Sequence, residues 1–288
     1  MLAAMALLLD SFWRALAYCF HRRVIALSAL PLVLMAVLAL GWGYFYWDAS
    51  VASARALLEA PGWLGTVWGW LQDWGLGNAT AFVAPLLVVA VLTPVVVLIA
   101  LLLVAVFMAP ALVALVAQRR FAGLERKKGG SLWASLAWSL GSTLLAVVAL
   151  LVSMPLWLIP PLVLLLPPLI WGWLTYRVMA FDALAEHASK EERQTIFVRH
   201  RMALLLIGVC SGYLGAAPAL VWASGVVFAA GFVVLIPLGI WIYTLVFAFS
   251  SLWFAHFCLA ALQALRAENA VLSASPLIDS PAPEGLLP

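Results

Sequence analysis

Residues 79–118 read ATAFVAPLLVVAVLTPVVVLIALLLVAVFMAPALVALVAQ, forty positions without one charged side chain. No water-facing element tolerates such a run, because Lys, Glu, Arg and Asp dominate a solvated exterior. A bilayer-spanning helix needs about 20 apolar residues in a row. In hydrocarbon every backbone N–H and C=O must be satisfied inside the segment, so the run is read as a helix. As a single helix it would measure about 60 Å, twice the hydrocarbon thickness of about 30 Å. Pro85, Pro94 and Pro110 mark places for kinks or ends.

Working outward, the rest of the chain agrees. Two thirds of the 288 residues are hydrophobic, 9% are charged, and the mean hydropathy is +1.13. An outer-membrane barrel would show segments of about 10 residues with alternating polarity, and that pattern is absent. Residues 24–47 form a second uncharged run of about 36 Å as a helix, ending in Trp42, Tyr44, Phe45, Tyr46 and Trp47, an interfacial aromatic belt. Before it, Leu9, Phe12, Trp13, Leu16 and Phe20 share one helical face and Asp10, Arg14, Tyr18 and His21 another. Residues 9–20 are therefore expected to lie in the interface as an amphipathic helix. Residues 1–9 lack a basic stretch and are too short for a cleaved leader, so the N-terminus is expected to be kept.

Two further apolar blocks are broken. Residues 131–176 carry prolines at 155, 160, 161, 167 and 168. A reversal near Pro155 to Pro161 leaves a returning arm of about 15 residues, or roughly 22 Å, too short to span. Residues 202–262 hold a glycine-rich centre, and Gly208-x-x-x-Gly212 suggests close helix packing. Both blocks are expected to be hairpins that enter the bilayer and leave on the same side. Between them, residues 177–201 form a polar cytoplasmic segment, with a capping box at Ser189 and Glu192 opening a helix toward Arg199. Residues 48–78, with Asp48, Glu59 and Asp73 and four tryptophans between Trp63 and Trp74, are expected as a helical segment on the outer surface. The fold class is thus an all-α integral membrane protein, with two long transmembrane helices (24–47 and 79–118) and two proline- and glycine-broken, partly penetrating hairpins. Residues 1–265 form one helical membrane domain, and 266–288 a disordered tail. Of 15 Lys and Arg, only Arg55 falls on the side reached after the first span. The positive-inside rule puts both termini in the cytoplasm.

Chemistry-bearing motifs are scarce. The chain has no H-E-x-x-H, G-x-S-x-G, phosphate-binding loop or dinucleotide fingerprint, so no enzyme, cofactor or nucleic-acid partner is expected. Cys19, Cys210 and Cys258 are odd in number and widely spaced, and read as small apolar residues rather than disulfide or metal ligands. His21, His187, His200 and His256 show no ligand spacing, and Asp182 and Glu186 read as a solvated turn with Lys190. His256, alone among ionisable groups within the apolar blocks, reads as an interfacial or packed histidine; the lack of a buried carboxylate relay favours a channel-like route over a proton-coupled pump. Arg22 and Arg23 stand out. They precede a spanning helix, where free N–H groups and the helix dipole favour an anion, and guanidinium groups grip sulfate or phosphate oxygens bidentately. The alternative is that they anchor the helix at anionic headgroups.

The order of features resembles the CysZ-type sulfate permease family, within the larger etoposide-induced-protein domain group. It comprises the amphipathic start, Arg22-Arg23, Leu30-Pro31-Leu32, a long second helix with Ala109-Pro110, a proline-rich hairpin, Phe181-Asp182 with His187, and Arg199-x-Arg201. The resemblance covers roughly residues 8–265. Where the family carries Pro-Gly-[Leu/Ile]-Arg, this chain has Cys19-Phe20-His21-Arg22. The resemblance implies a bacterial inner-membrane permease with two long helices and two partial hairpins, assembled as a homo-oligomer, importing sulfate for cysteine synthesis. Arg22 and Arg23 are the expected anion-binding residues. A permease for another solute and a non-transporting membrane scaffold or regulator are the alternatives.

Overall fold

The computed structural model describes residues 2–60, 62, 79–223 and 225–274. Among them there are helices and no strand. In chain order they are α1 (Leu2–Cys19), α2 (Arg22–Leu58), α3 (Ala79–Arg120), α4 (Leu132–Ser153), a 3-10 turn (Met154–Leu158), α5 (Pro160–Ala185), α6 (Lys190–Arg199), α7 (Arg201–Ala223) and α8 (Gly225–Ala274). Among the described residues five stretches are long and apolar enough to cross a bilayer: Arg22–Leu58, Thr80–Arg120, Trp133–Leu158, Leu164–Ala185 and Pro237–Ser273. The chain is an all-α membrane protein.

It divides into two compact units, residues 1–28 with 108–288, and residues 29–107. In the second unit Val51, Ala54 and Leu58 of α2 close a small apolar cluster on Ala84 of α3, with Val83, Leu87 and Val88 packed against it. That cluster is why α2 runs on through Asp48 to Leu58 instead of stopping at Trp47. The tryptophans at 63–74, and the surface segment expected there, lie outside the described residues. Helix α3 is likewise continuous, and its three prolines do not end it. Tyr44, Phe45, Phe82, Leu86 and Leu98 are exposed, as a lipid-facing surface requires.

The larger unit is built around α8. Residues 251–259 of α8 are buried on every side, a pattern of helices at the centre of a bundle. Helices α1, α5, α6 and α7 all pack on it, and α4 packs on α5. Helix α1 turns Leu8, Ser11 and Ala15 inward, and its Phe12 meets Phe249 and Trp253 at ring distances of 5.4 and 5.0 Å. The expected apolar residues Leu9, Trp13, Leu16 and Phe20 face outward, free to enter the interface.

The first hairpin reverses where the prolines predict, at residues 154–158. Its returning arm differs from the expectation. Pro160 and Pro161 occupy the first turn, where a missing N–H is harmless, and Pro167 and Pro168 are carried inside the helix. Helix α5 then continues past Tyr176 to Ala185, 26 residues rather than about 15. Arg177 is therefore part of the arm and not the start of a separate cytoplasmic segment. In the second block α7 stops at Ala223 and α8 starts at Gly225. Gly208 is at a close crossing, but its partner is Gly172 of α5: a Cβ on Gly208 would strike the Gly172 carbonyl oxygen. Gly212 has nothing within 4 Å of where its Cβ would stand. The capping box forms as read, with Ser189 N–H donating to Glu192 at 2.8 Å and Glu192 N–H to Ser189 Oγ at 3.2 Å. Helix α8 carries the chain helically from Arg266 to Ala274, with Arg199 paired to Glu268. The disordered tail expected from residue 266 thus does not begin there; residues 275–288 lie outside the described residues.

Candidate functional site

Between α1 and α2 the chain makes a tight turn, with Phe20 N–H donating to Ala17 O (3.3 Å) and His21 N–H to Tyr18 O (2.9 Å). His21 then starts α2. Its carbonyl accepts from Val24 and Ile25, and its Nδ1 accepts from the Arg23 N–H at 3.2 Å. That bond requires the neutral imidazole. Desolvation, then the charges of Arg119 and Arg23, hold the His21 pKa below its ordinary value, so the cap persists at pH 7. A side chain here satisfies one of the donors left free at a helix start.

Arg22 and Arg23 fill the first turn of α2 with exposed side chains. Neither guanidinium has a hydrogen bond or ion pair among the described residues. Arg119, at the end of α3, is also exposed and close enough to His21 to act on its charge. The turn therefore gathers three guanidiniums from two helix ends, none of them paired among the described residues. Residues 111–118 keep α3 uncharged until Arg119, which delivers its cations at one end only.

Beside them lies a paired group. Asp10 accepts from Arg14 Nε at 2.8 Å and from Arg120 Nη2 at 2.8 Å. The Arg14 bond first, opposed by desolvation and helped by Arg120, holds the Asp10 carboxyl below the usual carboxylate range. Arg120 also approaches His256 Nδ1 at 3.4 Å, and Tyr18 sets its ring edge-on to His256 at 4.7 Å. His256 is fully buried, the packed histidine of the two readings. The whole constellation sets five guanidiniums against one carboxylate, a field that attracts anions.

A second polar knot clamps the same end of the bundle. Arg266 grips both Glu192 oxygens at 3.0 Å and donates to the carbonyls of His187 (2.6 Å) and Glu125 (2.9 Å). Lys127 adds a bond to Glu192 at 2.8 Å. Burial opposes ionisation of Glu192, but these donors outweigh it and hold the carboxyl at about 2. A cleft of about 340 Å³ runs between the two groups, with Arg120 and Arg266 among its lining residues.

Arg22 and Arg23 are adjacent in sequence, so their pairing was legible. Arg119 and Arg120 were visible only as the end of an uncharged run, and nothing in the sequence tied them to residue 21. The Asp10–Arg14 pair at i, i+4 was a local signal, yet its coupling to Arg120 and His256 is made across 110 and more residues.

A family model described as sulfate transporter CysZ/etoposide-induced protein 2.4 matches residues 11–224, from α1 through α7. No curated protein and no solved structure matches the chain. The match takes in Arg14, Arg22, Arg23, Arg119 and Arg120 and most of the chain's length, and the chain belongs to the sulfate transporter CysZ/etoposide-induced protein 2.4 family.

Proposed function

We propose that this protein is a membrane permease for a small divalent oxyanion, with sulfate as its substrate, bound first at Arg22 and Arg23. The observation that carries this reading is the group of unpaired guanidiniums at the start of α2, where the positive end of the helix dipole adds to their charge. Family membership supports it independently. An oxyanion held there accepts bidentate bonds from Arg22 and Arg23, and Arg119 adds a third cation. Each charge-assisted contact contributes on the order of 1.5–3 kcal/mol. Because His21 already occupies the Arg23 N–H, the side chains rather than the backbone supply most of the donors here.

The remaining parts of the reading follow from charge and surface. The concentration of Lys and Arg at the start of α2, at the end of α3, at residues 126–128 and in α6 argues for both termini on the cytoplasmic side of a bacterial inner membrane. Exposed apolar faces on α2 to α5 suit lipid and further copies of the chain in a homo-oligomer. Imported sulfate would feed reductive assimilation into cysteine. The deciding experiment is uptake of labelled sulfate by proteoliposomes holding the full chain. Saturable uptake that falls to the protein-free rate in Arg22→Gln/Arg23→Gln supports the proposal; uptake no faster than empty liposomes from correctly inserted wild-type protein refutes it.

A further inference from the structure

Arg177 lies on α5, and none of the ion pairs among the described residues includes it. Asp182, the next acid along the helix, is about 140° round the axis and takes its hydrogen bond from Ser135. Aromatic rings hold the cation instead. Its guanidinium carbon is 3.9 Å from the Trp138 ring centroid and 5.2 Å from that of Trp173. The Trp138 indole N–H donates to the Arg177 carbonyl at 3.0 Å, and the same ring stacks on Phe181 at 5.4 Å. Two helices thus fix the plane of one guanidinium.

Stacking uses the face of a guanidinium and leaves its edge of N–H donors open. Arg177 Nε is buried without a partner, and neither terminal nitrogen makes a hydrogen bond among the described residues. With Nε closed off, an in-plane oxyanion meets the two terminal nitrogens bidentately. The surroundings say which kind. Leu165, Leu169, Trp173 and Arg177 step four residues at a time along a slanting stripe of α5, and Leu165 and Leu169 are exposed. From Leu165 to Arg177 the stripe is about 18 Å long, close to the depth of one leaflet's hydrocarbon, about 15 Å. A free phosphate would use only the top of this surface. A lipid would use all of it.

We propose that Arg177, framed by Trp138 and Trp173, is the binding site of one anionic phospholipid, its phosphate on the guanidinium edge and an acyl chain along Leu169 and Leu165. The bound lipid supplies the counter-charge that the described residues do not provide, and it joins α4 to α5 through its headgroup. The site is separate from the Arg22–Arg23 site and does not rest on the transport reading.

Native mass spectrometry of the detergent-solubilised full chain, titrated with phosphatidylglycerol, with diacylglycerol of the same chains and with inorganic phosphate, tests it. Wild-type protein should retain one phosphatidylglycerol in preference to diacylglycerol. Arg177→Gln should weaken that binding at least about 10-fold, since a charge-assisted bidentate contact is lost. Leu165→Gln/Leu169→Gln, which alters only exposed positions, should weaken it as well. Millimolar inorganic phosphate should not displace the lipid. Equal phosphatidylglycerol binding by wild type and Arg177→Gln overturns the site. Displacement by phosphate, with the leucine variant unaffected, overturns the lipid and leaves a free-phosphate site. Should Arg177→Gln lose its helical signal, Arg177→Lys takes its place, keeping the charge without the fork. Unchanged binding in the lysine and leucine variants together then rejects the proposal.

Discussion

Arg22 and Arg23 remain available because their neighbours are committed: Arg14 and Arg120 share Asp10, and Arg266 saturates Glu192. Replacing both with Gln should weaken sulfate binding at least about 100-fold, from two lost contacts of roughly 1.5–3 kcal/mol each. Isothermal titration of purified protein checks this. Replacing both with Lys keeps the charge but not the planar fork, so binding should fall between wild type and the Gln variant. If the arginines only anchor the helix, the Gln variant inserts poorly and its inserted fraction binds normally. Glu192 gives a test of a different kind. Its carboxyl is held at about 2 against an ordinary 4.5. A depressed carboxylate contributes stability that is complete above about pH 4.5 and disappears as pH falls toward 2. Melting of Glu192→Gln in detergent should therefore lag wild type at pH 7, by on the order of 3 kcal/mol, and the gap should narrow at pH 3. At this scale the sequence disclosed what was local: the Arg22-Arg23 pair and the capping box of Ser189 and Glu192. It was silent on Arg266 as the partner of Glu192, because that contact is made by the far end of α8, 74 residues away.

Helix ends and crossings were less legible than helix existence, and the reasons are specific. A hydropathy run ends at the first charge, so Arg177 looked like the end of an arm; the helix ignores it because aromatic rings accommodate its cation. Asp48 did not stop α2 either, because Val51, Ala54 and Leu58 beyond it pack on Ala84. Prolines in the sequence marked the reversal at 154–158, but Pro167 and Pro168 stayed inside α5, as helices within a bilayer permit when neighbours satisfy the freed carbonyls. The Gly208-x-x-x-Gly212 pattern was half right, since a spacing names two small residues without saying which one meets a partner. This yields a paired prediction. Gly208→Ala drives a methyl into the Gly172 carbonyl, 3.0 Å from its carbon, and should destabilise the α5–α7 crossing by about 1–3 kcal/mol. Gly212→Ala meets open space and should be neutral or stabilising by up to about 1 kcal/mol. Thermal unfolding in detergent ranks the two; equal losses would mean that α5 and α7 do not cross closely at Gly208.

For the molecule as a whole, the question is how deep the first hairpin goes. By length alone, α4 with its turn and α5 could each cross. Charge and surface argue otherwise. A guanidinium is expensive at the bilayer centre, so Arg177 and the Trp138 that stacks on it belong at headgroup depth. From Trp138 to Ser153 the hairpin then descends about 22 Å, and from Arg177 back to Pro160 about 26 Å. Both fall short of a hydrocarbon core of about 30 Å. The tip agrees with that depth. Met154, Leu156 and Ile159 are exposed, Leu158 is 88% exposed, and no charged residue lies between Ser153 and Tyr176. A tip reaching water on the far side would present these apolar residues to solvent, whereas one stopping inside the far leaflet keeps them in lipid. Single cysteines at Leu158 and Leu164, in a background with Cys19, Cys210 and Cys258 replaced, should therefore resist a membrane-impermeant maleimide added from the periplasmic side and react only after solubilisation. A reporter fused within residues 188–190 should read as cytoplasmic in the same cells if both arms return to the side they left. Ready labelling at Leu158 would mean that the hairpin crosses completely, that Arg177 lies below the headgroups, and that its counter-charge has to come from within the membrane.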